Sequence, residues 1–152
     1  MKKLKLYLET SLWNFYYADD APGKKEDTLE FFTFLDRNVF DIYISHIVID
    51  EFGGCKTVEE EQRLLNLLNK YSPIDIPVTP EAEDLAQKYL DREIVPQNKF
   101  EDALHVAIAT VAEMDAVITW NYRHMANITR SERFCGVNLE EGYLKPIKIV
   151  MP

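Results

Sequence analysis

The chain has 152 residues, 47% hydrophobic and 28% charged, a globular balance and not a disordered one. That length predicts one domain spanning residues 1–152, large enough to bury a core without staples. Its 26 acidic and 17 basic residues give a formal charge of -9. That argues against a protein that coats DNA by neutralising phosphates, but not against a nuclease with local carboxylates and a local basic rim.

Two cysteines, Cys55 and Cys135, lie far apart in sequence. They cannot make a disulfide framework or a four-cysteine zinc site, and the expected compartment is the reducing cytosol. The N-terminal apolar stretch is interrupted at Lys5 and ended by Glu9, too short for a signal peptide. No apolar run is long enough to span a membrane.

Leu4 to Leu8 is β-prone and is followed by Glu9-Thr10-Ser11, where Thr10 or Ser11 would cap the next segment. A loop is expected from Asp19 to Lys25, then a helix from Asp27 to Asn38 with Leu29, Phe32 and Leu35 about one turn apart. Asp41 to Ser45 reads as a second strand, leading into the run His46 to Phe52, which places Glu51 on a helix. Thr57 and Glu60 form a capping box that opens a helix to Tyr71, with Leu64, Leu65, Leu67 and Leu68 on its apolar face. Ile74 to Val78 is a short third strand, and Pro80 opens a helix to about Leu90.

Phe100 to Met114 is apolar almost all round, the pattern of a helix buried on most sides. Ala116 to Thr119 and Ile147 to Val150 are the last two strands. The stretch Trp120 to Cys135 between them reads as a loop and a short helix. Strands alternating with helices predict an α/β three-layer sandwich around a five-stranded parallel sheet.

Ligands of such sheets collect at the carboxyl ends of the strands. Glu9 closes the first strand, Glu51 follows the second, Asp102 opens the buried helix and Asn121 follows the fourth strand. Three carboxylates and an amide oxygen there make a hard-oxygen set of nominal charge -3, suited to Mg²⁺ or Mn²⁺. Crowding without a cation would raise at least one carboxyl pKa.

Each member also has a structural explanation. Asp102 could complement a helix dipole, Glu51 could be solvated and Asn121 could be a turn residue. The set carries the signal. His105, one helical turn after Asp102, is either a proton carrier or carboxylate orienter, or a hydrogen-bonded core residue. Arg123, His124 and Arg130, with Arg133, form a local basic stretch that either binds substrate phosphate or is ordinary solvated surface. Trp13, Phe15, Tyr16 and Tyr17 could stack on bases, although core packing or a dimer contact suits them better. Cys55 reads as a free structural thiol. No Gly-x-Gly-x-x-Gly, P-loop or Gly-x-Ser-x-Gly pattern is present.

Tyr7 to Ser11, Glu101 to Ala109 and Ile118 to His124, in that order and spacing, resemble the PIN-domain family of the VapC toxins. The resemblance implies a five-stranded parallel sheet and metal-dependent cleavage of RNA. It also implies a cognate antitoxin and pairing of two copies. It carries the family's acidic positions onto Glu9, Glu51 and Asp102 and its fourth position onto Asn121. Thr10 or Ser11, and Thr119, fall on its supporting hydroxyl residues. Glu9 stands where Asp is usual, and Asn121 where Asp is frequent. The second substitution removes a charge and disfavours tight binding of two ions.

The expected function is therefore an Mg²⁺- or Mn²⁺-dependent endoribonuclease, with Asp102 or Glu51 as base and RNA backbone on Arg123, His124 and Arg130. The alternatives are a catalytically weak PIN-fold binding module and a phospho-receiver domain using Lys145 or Lys148, whose roles Glu9 and Asn121 do not fit well.

Overall fold

The computed structural model describes residues 2–152. Five strands, β1 (Leu4–Leu8), β2 (Phe40–Ile44), β3 (Ile74–Asp75), β4 (Ala116–Ile118) and β5 (Lys148–Val150), form one sheet in the order β3-β2-β1-β4-β5. Every pairing is parallel, with Tyr7 opposite Tyr43 and Leu8 opposite Ile118. The helices are α1 (Thr10–Phe15), α2 (Pro22–Asp36), α3 (His46–Phe52), α4 (Val58–Tyr71), α5 (Pro80–Asp91), α6 (Phe100–Val111) and α7 (Ile128–Glu140).

Strand alternation divides the core between the two faces of the sheet. Leu6, Leu8, Ile44 and Ile118 pack with Leu12 and Trp13 of α1, Phe32 of α2, Val48 of α3 and Leu64 of α4. Tyr7, Val117 and Ile149 pack on the opposite face with Leu85 and Tyr89 of α5, Val106 of α6 and Phe134 of α7. The molecule is thus three layers deep, as expected. Trp13 is fully buried and meets Phe32 edge-on at 5.5 Å, so it serves the core and is not available to a base.

Several boundaries differ from the sequence expectation. The loop expected at Asp19 to Lys25 is shorter, because Pro22 takes the first turn of α2 and starts that helix five residues early. The cap of α1 is neither Thr10 nor Ser11 but Glu9, whose side chain accepts the Ser11 N–H. Strand β3 keeps only two ladder residues, at the sheet edge. The expected helix to Met114 stops at Val111, and Glu113 turns left-handed with φ 59°. The short helix expected before Cys135 is a full 13-residue α7, capped by the Asn127 side chain on the Arg130 N–H. Among the described residues, no helix is long and apolar enough to cross a membrane.

Candidate active site

The carboxyl edge of the sheet places Glu9, Ser45 and Thr119 one residue beyond β1, β2 and β4. The Glu9 N–H donates to the Ile118 carbonyl at 3.1 Å and the Thr119 N–H to the Val150 carbonyl at 3.0 Å, so both residues continue the sheet lattice. Asp102 lies in the first turn of α6, and Glu51 in the last turn of α3.

Glu9 is only 5% exposed, although it is ionisable. Its Oε2 accepts hydrogen bonds from the Ser11 N–H at 3.0 Å, the Ser11 hydroxyl at 2.5 Å and the Thr119 hydroxyl at 2.8 Å. Those bonds offset the cost of burying a carboxylate. Thr119 Oγ1 in turn accepts the Asn121 N–H at 3.0 Å, and the Asn121 amide donates to Asp102 Oδ2 at 3.1 Å. Glu9 and Asp102 are thereby joined through Thr119 and Asn121.

Glu51 is held from the other side. Its Oε1 accepts the Thr10 hydroxyl at 2.8 Å and lies 2.5 Å from His105 Nε2. His105 is fully buried, and its Nδ1 lies 2.7 Å from the Tyr7 hydroxyl, which contacts Ser45 Oγ at 2.9 Å. Burial works against a charged His105. The hydrogen bond to Glu51 and the charges of Glu9, Glu51 and Asp102 outweigh it and raise the imidazole pKa. Burial likewise opposes ionisation of Glu51, yet the His105 and Thr10 contacts bring its pKa below the ordinary value. Glu51 is therefore not a carboxyl that crowding raises, because the imidazole supplies a countercharge. Burial lifts the Tyr7 phenol far above its ordinary pKa, and the charges of Glu9 and Glu51 act in the same direction, so it stays protonated.

One pattern is common to the three carboxylates. Each spends a single oxygen on its holding contacts. Glu9 Oε1, Glu51 Oε2 and Asp102 Oδ1 accept no hydrogen bond among the described residues, and none is a buried orphan, so all three reach solvent. Asn121 differs: its amide nitrogen is committed to Asp102, and its Oδ1 accepts the His124 N–H at 3.0 Å. Among the described residues, no three His, Cys, Asp or Glu side chains lie close enough together to hold a metal ion between them. The donor set nevertheless fits Mg²⁺ or Mn²⁺ in chemistry. These ions take oxygen ligands, and Mg²⁺ accepts one or two carboxylates while keeping much of its water.

Arg123 is exposed on the loop after β4, and Arg130 is half-buried in the first turn of α7. Burial lowers the His124 pKa, with Arg130, Arg123 and Lys99 pushing the same way and Asp102 opposing them. His124 therefore stands between the acidic edge and a cluster of cations. Its Nδ1 is buried without a hydrogen-bond partner. Arg133 is engaged elsewhere, donating to the Arg92 carbonyl at 2.6 Å beyond α5. The sequence reading passed over Tyr7 and Ser45. Their signal is a tyrosine two residues before Glu9 in an otherwise aliphatic strand, and a serine closing the neighbouring strand.

The fold is shared with three solved structures. VapBC2 from Rickettsia felis, solved bound to a promoter DNA fragment, superposes with a TM-score of 0.61 at 15% identity, covering 98% of this chain and 99% of that one. The chain has the fold of the VapC-type PIN domains. Mycobacterium tuberculosis VapC20, described as a sarcin-ricin loop cleaving toxin, gives a TM-score of 0.58 at 15% identity over 78% of this chain and 92% of its own. VapBC-5 from M. tuberculosis, a member of the VapBC toxin-antitoxin family, gives 0.53 at 13% identity over 97% and 98%. No protein-family model and no curated protein sequence matches the chain.

Proposed function

We propose that the chain is a metal-dependent endoribonuclease of the VapC type, acting in the cytoplasm as the toxin of a toxin-antitoxin pair. The observation that carries this reading is the arrangement of Glu9, Glu51 and Asp102. Three carboxylates from separate elements are each fixed through one oxygen and open through the other.

Glu9 and Asp102, with Glu51 and the Asn121 carbonyl oxygen beside them, would hold Mg²⁺ or Mn²⁺. Such an ion supplies a more acidic bound water and neutralises charge developing on phosphate. Ser11 and Thr119 fix the rotamer of Glu9, and His105 and Thr10 fix that of Glu51. Asp102 Oδ1 or Glu51 Oε2 would accept the proton of the attacking water. Arg123, His124 and Arg130 would position the RNA backbone through its phosphates. The VapBC neighbours support a cognate antitoxin as partner, and pairing of two copies follows only from the family resemblance.

Purified protein with Mn²⁺ should cut structured RNA, and Asp102→Asn should abolish cutting. If wild type and variant leave the same RNA intact under several divalent metals, the reading is wrong. The Asn121 amide is committed within the protein, and three ionisable ligands do not cluster; both observations favour a catalytically weak binding module as the second reading. Titration calorimetry with Mn²⁺ separates the two, since that module binds no metal.

A further inference from the structure

The carboxylates leave unused a cavity of about 450 Å³ that opens beside Glu51, within the roughly 300–1,000 Å³ typical of small-molecule sites. One wall is α1 and the turn after it, with Asn14, Phe15 and Tyr17. The other runs from the turn after α3 into α4, with Cys55, Lys56 and Arg63.

Three features of this lining, and of Lys24 and Trp120 beside it, define an occupant. The Arg63 guanidinium stands over the Tyr17 ring at 4.8 Å, and Lys24 Nζ stands over Phe15 at 5.0 Å and Trp120 at 5.7 Å. Paired aromatic and cationic groups of this kind present flat, polarisable surfaces to a planar ligand. Among the described residues, Lys24, Lys56 and Arg63 form no ion pair, so their charge is available to a ligand. Inside the cavity, however, Asp20, Glu51 and Glu60 offset Lys56 and Arg63. A compact anion gains little there, whereas an uncharged planar ring carrying anionic groups at the rim fits. Asn14 is exposed and its amide makes no hydrogen bond among the described residues, which leaves a donor and an acceptor for a ring edge.

We propose that this cavity is a nucleobase subsite. It takes one unstacked base of single-stranded RNA beside Glu51, against the Tyr17–Arg63 pair and Phe15, with Asn14 at the base edge. Lys24, Lys56 and Arg63 meet the flanking phosphates. The subsite rests on the ribonuclease reading for its polymer and narrows the substrate class. A base within a duplex cannot enter, so loops and unpaired segments bind and continuous helices do not.

Cys55 lines the cavity, and its alkylation rate reports occupancy, with Cys135 as an internal control resolved by mass spectrometry. The full chain is alkylated in EDTA, where no cutting occurs, with a short single-stranded RNA, its fully abasic counterpart or the matching duplex. The single strand should slow Cys55 alkylation severalfold and leave Cys135 unchanged, while the abasic and duplex forms do neither. Tyr17→Ala should weaken single-strand binding about tenfold, the loss of one base stack, and Tyr17→Phe should restore it. Equal protection by the abasic strand, unchanged binding by Tyr17→Ala, or no protection by any RNA overturns the subsite. RNA that protects Cys55 but stays uncut after Mn²⁺ is added defeats the nuclease reading and leaves the subsite standing.

Discussion

The two ends of the sheet use carboxylates in opposite ways. At the amino end, Asp115 just before β4 accepts the Lys5 N–H at 2.7 Å and pairs with Lys145 at 3.1 Å. Its hydrogen bond to the Lys5 backbone and the nearby lysines lower its pKa. At the carboxyl end, Glu51 meets the buried His105 imidazole, Glu9 is held by Ser11 and Thr119, Asp102 is held by Asn121, and each keeps one oxygen open. The first arrangement spends both oxygens of a carboxylate within the fold; the second spends one oxygen of each carboxylate and leaves the other open. Partly buried carboxylates with an open oxygen are the kind of group found at sites that act on a ligand.

The contrast can be tested by substitution at each end. The largest expected effect is at the buried imidazole of the carboxyl end. His105→Ala removes the countercharge of Glu51 and the partner of Tyr7, and should cost about 3 kcal/mol in chemical denaturation, the penalty of breaking a buried pair. Asp102→Asn should lower RNA cleavage at least about a hundredfold without lowering the melting temperature, because it removes a repelling charge. A large loss of stability in that variant would place Asp102 with the structural carboxylates.

Asp115→Asn should do the reverse, costing about 1 kcal/mol while cleavage persists. Because the folded pKa of Asp115 is depressed, its contribution is complete above the ordinary aspartate pKa and is lost as pH falls through the folded value. Acid titration of stability should therefore show a component below about pH 4 that Asp115→Asn lacks. The smallest effect is expected at Asn121→Ala, which removes the amide contact to Asp102 and the Oδ1 acceptor of the His124 N–H but no charge. Cleavage should fall about threefold, one ordinary hydrogen bond, with KM little changed.

Much of this was legible in the chain. The alternation of apolar strands with helices determined the three layers, and the buried face of α6 announced its central place. Glu9 and Asn121 were readable because parallel strands deliver their following residues to one edge, and Asp102 as an acidic residue in the first turn of an apolar helix. Other features were hidden for physical reasons. Pro22 marks a turn and a helix start equally well, so the beginning of α2 was ambiguous. Helix α7 has Gly136 and Asn138 in its interior, and its apolar stripe is broken by charged residues. The Tyr7–His105–Glu51 connection spans residues 7 to 105, a pairing set only by the packing of β1 against α6. The sequence offered His105 both as an orienter of carboxylates and as a satisfied core residue; in the fold it is both.

The most direct measurement is anomalous scattering from a crystal of the full chain soaked in Mn²⁺. The account predicts a peak at coordination distance from Glu9 and Asp102, at the carboxyl edge of the sheet. A peak elsewhere, or none at a concentration that supports cleavage, would contradict it.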